Sequence, residues 1–155
     1  MKAVVQRVLN ASVTVEGILS GGISRGLLVY LGVARGDTER DAEKLAEKIV
    51  HLRIFEDGEG KMNLSIGDLP SREGTGILAV SQFTLLADTR KGRRPYYGDA
   101  ADSGSAKRLY EHFMAKIRHW GFLCEAGVFQ ARMEVAYVNE GPVTILLDSN
   151  EFAQR

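Results

Sequence analysis

Apolar and polar positions fall into short β-type runs at both ends of the chain, with two helical stretches between them. Lys2–Leu9 and Ala11–Glu16 are valine-rich and partly alternating, with Asn10 between them and Gly17 after them, which predicts two early strands. Ile18–Ile23 is a weaker strand signal, whereas Gly26–Val33 is a continuous apolar run of strand length that belongs in a buried, central position. From Asp37 to Leu52 the period changes. Ala42, Leu45, Ala46, Ile49 and Leu52 recur on one helical face, opposite Glu39, Arg40, Glu43, Lys44 and Lys48. Thr38 and Asp41 stand at the spacing of a capping box.

Ile54-Phe55 and Met62-Asn63-Leu64 flank Glu56-Asp57-Gly58-Glu59-Gly60, a tight turn between two short extended pieces. Asp57 and Glu59 are too few carboxylates for a calcium loop. Gly76–Ala87 reads as a second buried strand, apolar through Val80, polar at Ser81-Gln82 and apolar again from Phe83 to Leu86. A second helix spans about Ser105 to Trp120, with Leu109, Tyr110, Phe113, Ile117 and Trp120 on one stripe and Gly121 as its stop. Met133, Val135 and Tyr137 then alternate, Asn139-Glu140-Gly141-Pro142 turns, and Val143, Ile145 and Leu147 alternate again. The pattern predicts one α/β domain over residues 1–155, its β layers covered on one side by two helices.

With 155 residues and 45% of them hydrophobic, the chain can fill a core without metal or disulfide staples. Twenty basic and twenty acidic residues leave no global field to drive nonspecific nucleic-acid binding, so any such binding must be local. Arg90-Lys91-Gly92-Arg93-Arg94-Pro95, followed by Tyr96-Tyr97, is the local candidate, although a solvated loop reads the same way. Cys124 is the lone cysteine, which excludes an intrachain disulfide and fits a reducing compartment. No apolar run approaches the roughly 20 residues of a membrane span, and Met1–Arg7 does not build a signal-peptide core. A soluble, cytoplasmic protein is expected.

Conventional catalytic groups are scarce. His112 and His119 lie seven apart on the second helix without a third ligand, and no nucleophile elbow, phosphate loop, zinc motif or dinucleotide fingerprint is present. Two stretches break the local rules. Ser81-Gln82 interrupts an apolar strand, and burying a hydroxyl and an amide is costly unless each is partnered; such residues face a pocket or form a polar cross-strand pair. Gly141-Pro142 between two alternating runs reads as a turn, with a cis bond open to it as to a minority of X–Pro bonds.

Ser81-Gln82-Phe83-Thr84-Leu85 and Asn139-Glu140-Gly141-Pro142-Val143-Thr144 together resemble the two signature motifs of the D-aminoacyl-tRNA deacylase (D-tyrosyl-tRNA deacylase) family. Val5-Gln6-Arg7-Val8, Arg53-Ile54-Phe55 with Gly60-Lys61-Met62-Asn63, and Ala87–Pro95 also look like that family, in order along the chain. The resemblance implies a β/β/α homodimer that needs no metal or cofactor. It would hydrolyse the ester joining a D-amino acid, or mischarged glycine, to the 3′-terminal adenosine of tRNA. Ser81, Gln82, Phe83 and Thr84 would form the catalytic stretch. Gly141 and Pro142, joined by a cis peptide, would enter the other subunit's pocket and exclude L-residues. Asn139, Val143 and Thr144 would flank them and Arg7 would brace the loop. Arg90, Lys91, Arg93 and Arg94 would meet the tRNA. Tyr96-Tyr97 and Arg132 depart from the family pattern, where a hydroxyl residue with phenylalanine, and an acidic residue, are usual. Rival readings are a nucleic-acid-binding module without activity and a general amidase or esterase.

Overall fold

The computed structural model describes residues 1–70 and 73–152. β1 (Lys2–Val15) is one strand rather than two. Each of its halves has two partners, which carries it straight through Asn10. β3 (Gly26–Gly32) pairs with the first half and β2 (Ile18–Ile23) with the second, while β8 (Glu134–Asp148) runs antiparallel along nearly the whole length. Glu16 and Gly17, both at positive φ, close the β1–β2 hairpin. β3 continues into a parallel pair with β6 (Gly76–Ser81), and β6 pairs in parallel with β7 (Leu123–Ala126), a short strand the hydrophobic pattern did not disclose. β4 (Phe55–Glu56) and β5 (Met62–Leu64) form a separate small ribbon.

α1 (Glu39–Val50) and α2 (Ser103–His119) pack on one face of the six-stranded sheet. Asp41 Oδ2 accepts from the Thr38 amide at 2.9 Å and the Thr38 hydroxyl at 2.7 Å, closing the expected cap. α2 starts two residues earlier than its apolar stripe suggested, because Asp102 Oδ1 accepts from Ser105 N at 3.0 Å and caps it. Trp120 leaves that stripe for the partly exposed C-cap, 5.8 Å from Lys116 Nζ, and Met114 is buried in its stead.

Leu27, Val29, Leu31, Ile77 and Ala79 face the helices, and the alternate residues Leu28, Leu78 and Val80 face a second cluster with Val8, Ala11 and Val13. The sheet curls until its ends meet, with Ser20 Oγ donating to Ala126 O at 3.2 Å. Cys124 is buried in the main core, where burial pushes its thiol up to about 11. Among the described residues no helix is long and apolar enough to cross a membrane.

Candidate active site

The expected long strand at Gly76–Ala87 ends at Ser81, and Phe83–Leu86 forms a 3-10 turn. Gln82 N makes the last ladder bond, to Leu31 O at 2.8 Å, and Leu85 N and Ala87 N then turn back to Gln82 O and Thr84 O at 3.3 and 3.1 Å. Gly32 permits this. A Cβ there would lie 3.0 Å from Gln82 O and from Leu85 Cβ, so the turn folds flat on the end of β3. Phe83 and Thr84 hold the first amides of that turn, which no carbonyl within the turn can accept.

Beyond Ser81 opens a cleft of about 570 Å³, lined by Val80, Ser81, Gln82 and Phe83 from β6 and its turn, Ser103 and Ala106 from α2, and Phe129, Gln130, Ala131, Met133 and Val135. Among the described residues, no lining side chain is ionisable. Gln82 Nε2 donates to Thr84 Oγ1. Phe83 is 59% exposed, and its ring meets Tyr97 edge-on at 5.1 Å. The far wall is pinned from beneath. The Phe129 ring lies 5.9 Å from that of Tyr110, whose hydroxyl donates to Ala79 O at 2.8 Å. Gln130 there adopts φ +63°, a conformation most side chains avoid. Sequence reading missed this wall, since neither a left-handed glutamine nor the short β7 before it leaves a periodic signal.

The second motif lies elsewhere in the chain. Gln6 pairs with Thr144 and Val8 with Asn139, so residues 140–143 stand opposite Arg7 alone and bulge from the sheet edge. The expected hairpin turn is therefore a bulge within one strand. The expected cis bond is also corrected: no peptide is cis among the described residues, and Gly141 at φ +96° supplies the change of direction. Asn139 Nδ2 closes the bulge by donating to Arg7 O at 2.9 Å and Val143 O at 3.2 Å, and Gln6 Nε2 donates to Thr144 Oγ1 at 3.1 Å. Arg7, only 3% exposed, donates from Nη1 to Ile54 O at 2.5 Å and from Nε to Glu140 O at 3.3 Å. Gly141 and Pro142 are exposed and take no part in lining their own chain's cleft.

Asp88 and Tyr96 bridge the base of the basic loop through amide–carbonyl bonds of 2.7 and 2.9 Å. Arg90 is spent within it: Nε and Nη2 meet the Asp88 carboxylate at 2.8 and 2.6 Å, and this hydrogen bonding holds the carboxyl down to about 2. Lys91, Arg93 and Arg94 are exposed, without an ion-pair partner among the described residues. Neither is there a cluster of metal-ligating side chains among those residues.

These features define an α/β protein with an uncharged strand-end cleft, a braced bulge apart from it and a basic loop beside it. A family model described as D-Tyr-tRNA(Tyr) deacylase matches residues 4–148. A D-aminoacyl-tRNA deacylase of Koribacter versatilis (strain Ellin345) is 61% identical over 97% of this chain and 99% of its own. One from Halothermothrix orenii is 57% identical over the same shares. The chain belongs to the D-Tyr-tRNA(Tyr) deacylase family. Among solved structures, the "c-Myc DNA Unwinding Element Binding Protein" superposes with a TM-score of 0.86 at 41% identity, covering 96% of this chain and 98% of that one. A probable eukaryotic D-amino acid tRNA deacylase, at 19% identity and a TM-score of 0.76 over 94% of this chain and 97% of that one, shares the fold.

Proposed function

We propose that this chain hydrolyses the ester of D-aminoacyl-tRNA, and of glycine mischarged on tRNA, at the Ser81–Thr84 cleft. One observation carries the reading: in a chain of this family, the cleft at the end of β6 is lined by Ser81, Gln82 and Phe83 with no ionisable side chain among its described residues. An aminoacyl ester is already activated, so oxyanion stabilisation and a placed water suffice, one good donor being worth roughly 3 kcal/mol. The Phe83 and Thr84 amides meet the developing oxyanion beside the Thr84 hydroxyl, and Ser81 and Gln82 hold the substrate's polar atoms. The substrate's 2′-hydroxyl handles the proton. A 2′-deoxy terminal ribose then slows cleavage sharply, and unchanged turnover removes that assignment.

Handedness is read by exclusion, because D- and L-residues carry identical groups. In this reading two copies associate, and the exposed Gly141–Pro142 bulge of one enters the other's cleft with its backbone carbonyls toward the amino group. Its exposure, and the absence of Gly141 and Pro142 from the lining of their own chain's cleft, support the exchange. Pro142→Ala is expected to lower the ratio of D- to L-cleavage far more than it lowers stability; wild-type selectivity in that variant contradicts the role.

Lys91, Arg93 and Arg94 contact the acceptor-end phosphates, and Arg90, already paired with Asp88, contributes less. Three contacts predict log affinity falling against log salt with a slope of roughly −2 to −3. A flat dependence refutes the placement. The decisive assay is incubation with matched D- and L-aminoacyl-tRNA, following the ester that remains; intact D-ester refutes the deacylase reading. The printed name of the 41%-identical solved relative favours a second reading, binding of DNA. Tight DNA binding with no loss of ester would establish it.

A further inference from the structure

Arg25 lies in the turn between β2 and β3, far in sequence from either motif. Its guanidinium grips the Glu140 carboxylate at two points, Nε to Oε2 and Nη2 to Oε1, both at 3.1 Å. The same guanidinium lies 5.5 Å from the centroid of the Phe55 ring, which is fully buried. Glu140 has a second cation beside it, Arg7 Nε lying 3.7 Å from the same Oε2 that Arg25 Nε meets. The carboxylate immediately before Gly141–Pro142 is thus held by two guanidinium groups, one buried and one stacked on a fixed aromatic.

Neither anchor belongs to β8. Arg7 is rooted in β1 and tied to Ile54 O, and Arg25 rests on the adjacent Phe55, so the bulge is referenced to β1, to the β2–β3 turn beside it and to the Ile54-Phe55 segment that both arginines touch. Two-point Arg–carboxylate contact fixes orientation as well as distance, which a lysine cannot do. A further limit comes from Gly141, where any Cβ would overlap Nη2 of Arg7, a buried guanidinium tied at Nη1 to Ile54 O and at Nε to Glu140 O. The four-residue excursion opposite Arg7, which sheet pairing alone leaves loose, is clamped at its first residue by charge and at its second by contact.

We propose that Arg25 is a positioning residue for stereochemical discrimination, acting through Glu140 to set where Gly141–Pro142 meets the bound ester. The inference rests on the reading of that bulge given above. Misplacement by about 1 Å at a reacting centre costs up to about a hundredfold. Releasing the carboxylate is therefore expected to cut the ratio of D- to L-aminoacyl-tRNA cleavage by roughly tenfold or more, in kcat rather than KM.

The test uses Arg25→Ala, Arg25→Lys, Glu140→Gln, the Arg25→Ala/Glu140→Gln double variant and Pro142→Ala, each with kcat and KM for both stereoisomers and a thermal melt. The expected result is a reduced D-to-L ratio in every Arg25 and Glu140 variant, lysine included, and a double variant no worse than the more affected single, as for two groups acting as one unit. Losses that multiply in the double variant overturn the proposal. So does a lowered melting temperature with the wild-type ratio kept, provided Pro142→Ala loses selectivity. Should Pro142→Ala keep wild-type selectivity, the reading of the bulge fails first and this inference falls with it.

Discussion

Met1 is fully buried, and its ammonium group is held by Asp37 Oδ1 at 2.7 Å and by the Ser149 hydroxyl at 2.6 Å. Asp37 Oδ2 also accepts from Ala34 N at 2.6 Å, and Ser149 N donates to Met1 O at 2.9 Å. One ion pair therefore pins the start of β1, the loop after β3 and the end of β8 together. Asp37→Ala leaves a buried charge with a single hydroxyl partner, and breaking a buried pair costs about 3–5 kcal/mol. Because Ser149 remains, the lower end applies, about 3 kcal/mol, against a total stability of about 5–15 kcal/mol for a domain. Asp37→Asn keeps an oxygen toward the ammonium and is expected to lose less, about 1–2 kcal/mol. Urea denaturation reads both: the midpoint falls in the order wild type, Asn, Ala, with an unchanged slope. An Asp37→Ala stability within about 0.5 kcal/mol of wild type would refute the claim that the buried Met1 ammonium depends on the Asp37 carboxylate.

Gln130→Gly relieves a left-handed backbone while adding unfolded-chain entropy, so its stability is expected within about 1 kcal/mol of wild type, whereas Gln130→Val should lose about 1–2 kcal/mol in the same denaturation series. The Asp88 carboxyl, hydrogen-bonded by Arg90, titrates near 2 in the folded chain against an ordinary value of 3.8, so its contribution to closing the basic loop is present above the ordinary value and is lost as pH falls toward about 2. A carboxyl-detected NMR titration should place that midpoint, and Arg90→Ala should raise it toward the ordinary carboxylate range, the residue-90 amide still donating to Oδ1; an unmoved midpoint would show that the Arg90 side chain is not its cause.

The helices were legible because their burial is periodic: Ala42, Leu45, Ala46 and Ile49 recur at helical spacing, and Thr38 with Asp41 announces the start. Gly26–Gly32 was legible as a central strand because both its faces are covered, which demands an unbroken apolar run. Strand continuity was not. Asn10 and the segment 139–142 look like turns, yet pairing of β1 with β8 on both sides of each carries the strands through, and long-range partners do not register in a local window. Leu123–Ala126 escaped notice because four residues between a helix stop and a loop are too few for alternation to stand out. Of the candidate site, Ser81-Gln82 was conspicuous as polar residues ending an apolar strand. The roles of Arg25 and of the Gln130 wall depend on what folds beside them, and surface arginines and glutamines carry no pattern that says so.

The bulge at 140–143 carries a cost that the sheet itself does not recover. Four residues stand opposite one, ladder hydrogen bonds are forgone at that point, and an exposed proline follows a glycine held at φ +96°. An ordinary strand edge would be more stable without it. Yet the chain commits to the excursion a buried arginine, a two-point Arg25–Glu140 contact and both donors of the Asn139 amide, which donate to the carbonyls of Arg7 and Val143. Such investment in holding a tip rigid stabilises the isolated chain little, because the tip itself touches solvent. It is explained by something that must meet the tip in a fixed pose. The cleft beside Ser81 is uncharged, and Gly141 and Pro142 of the same chain are not among the residues that line it. The proposed pairing of two chains, in which each tip enters the other's cleft, would account for both.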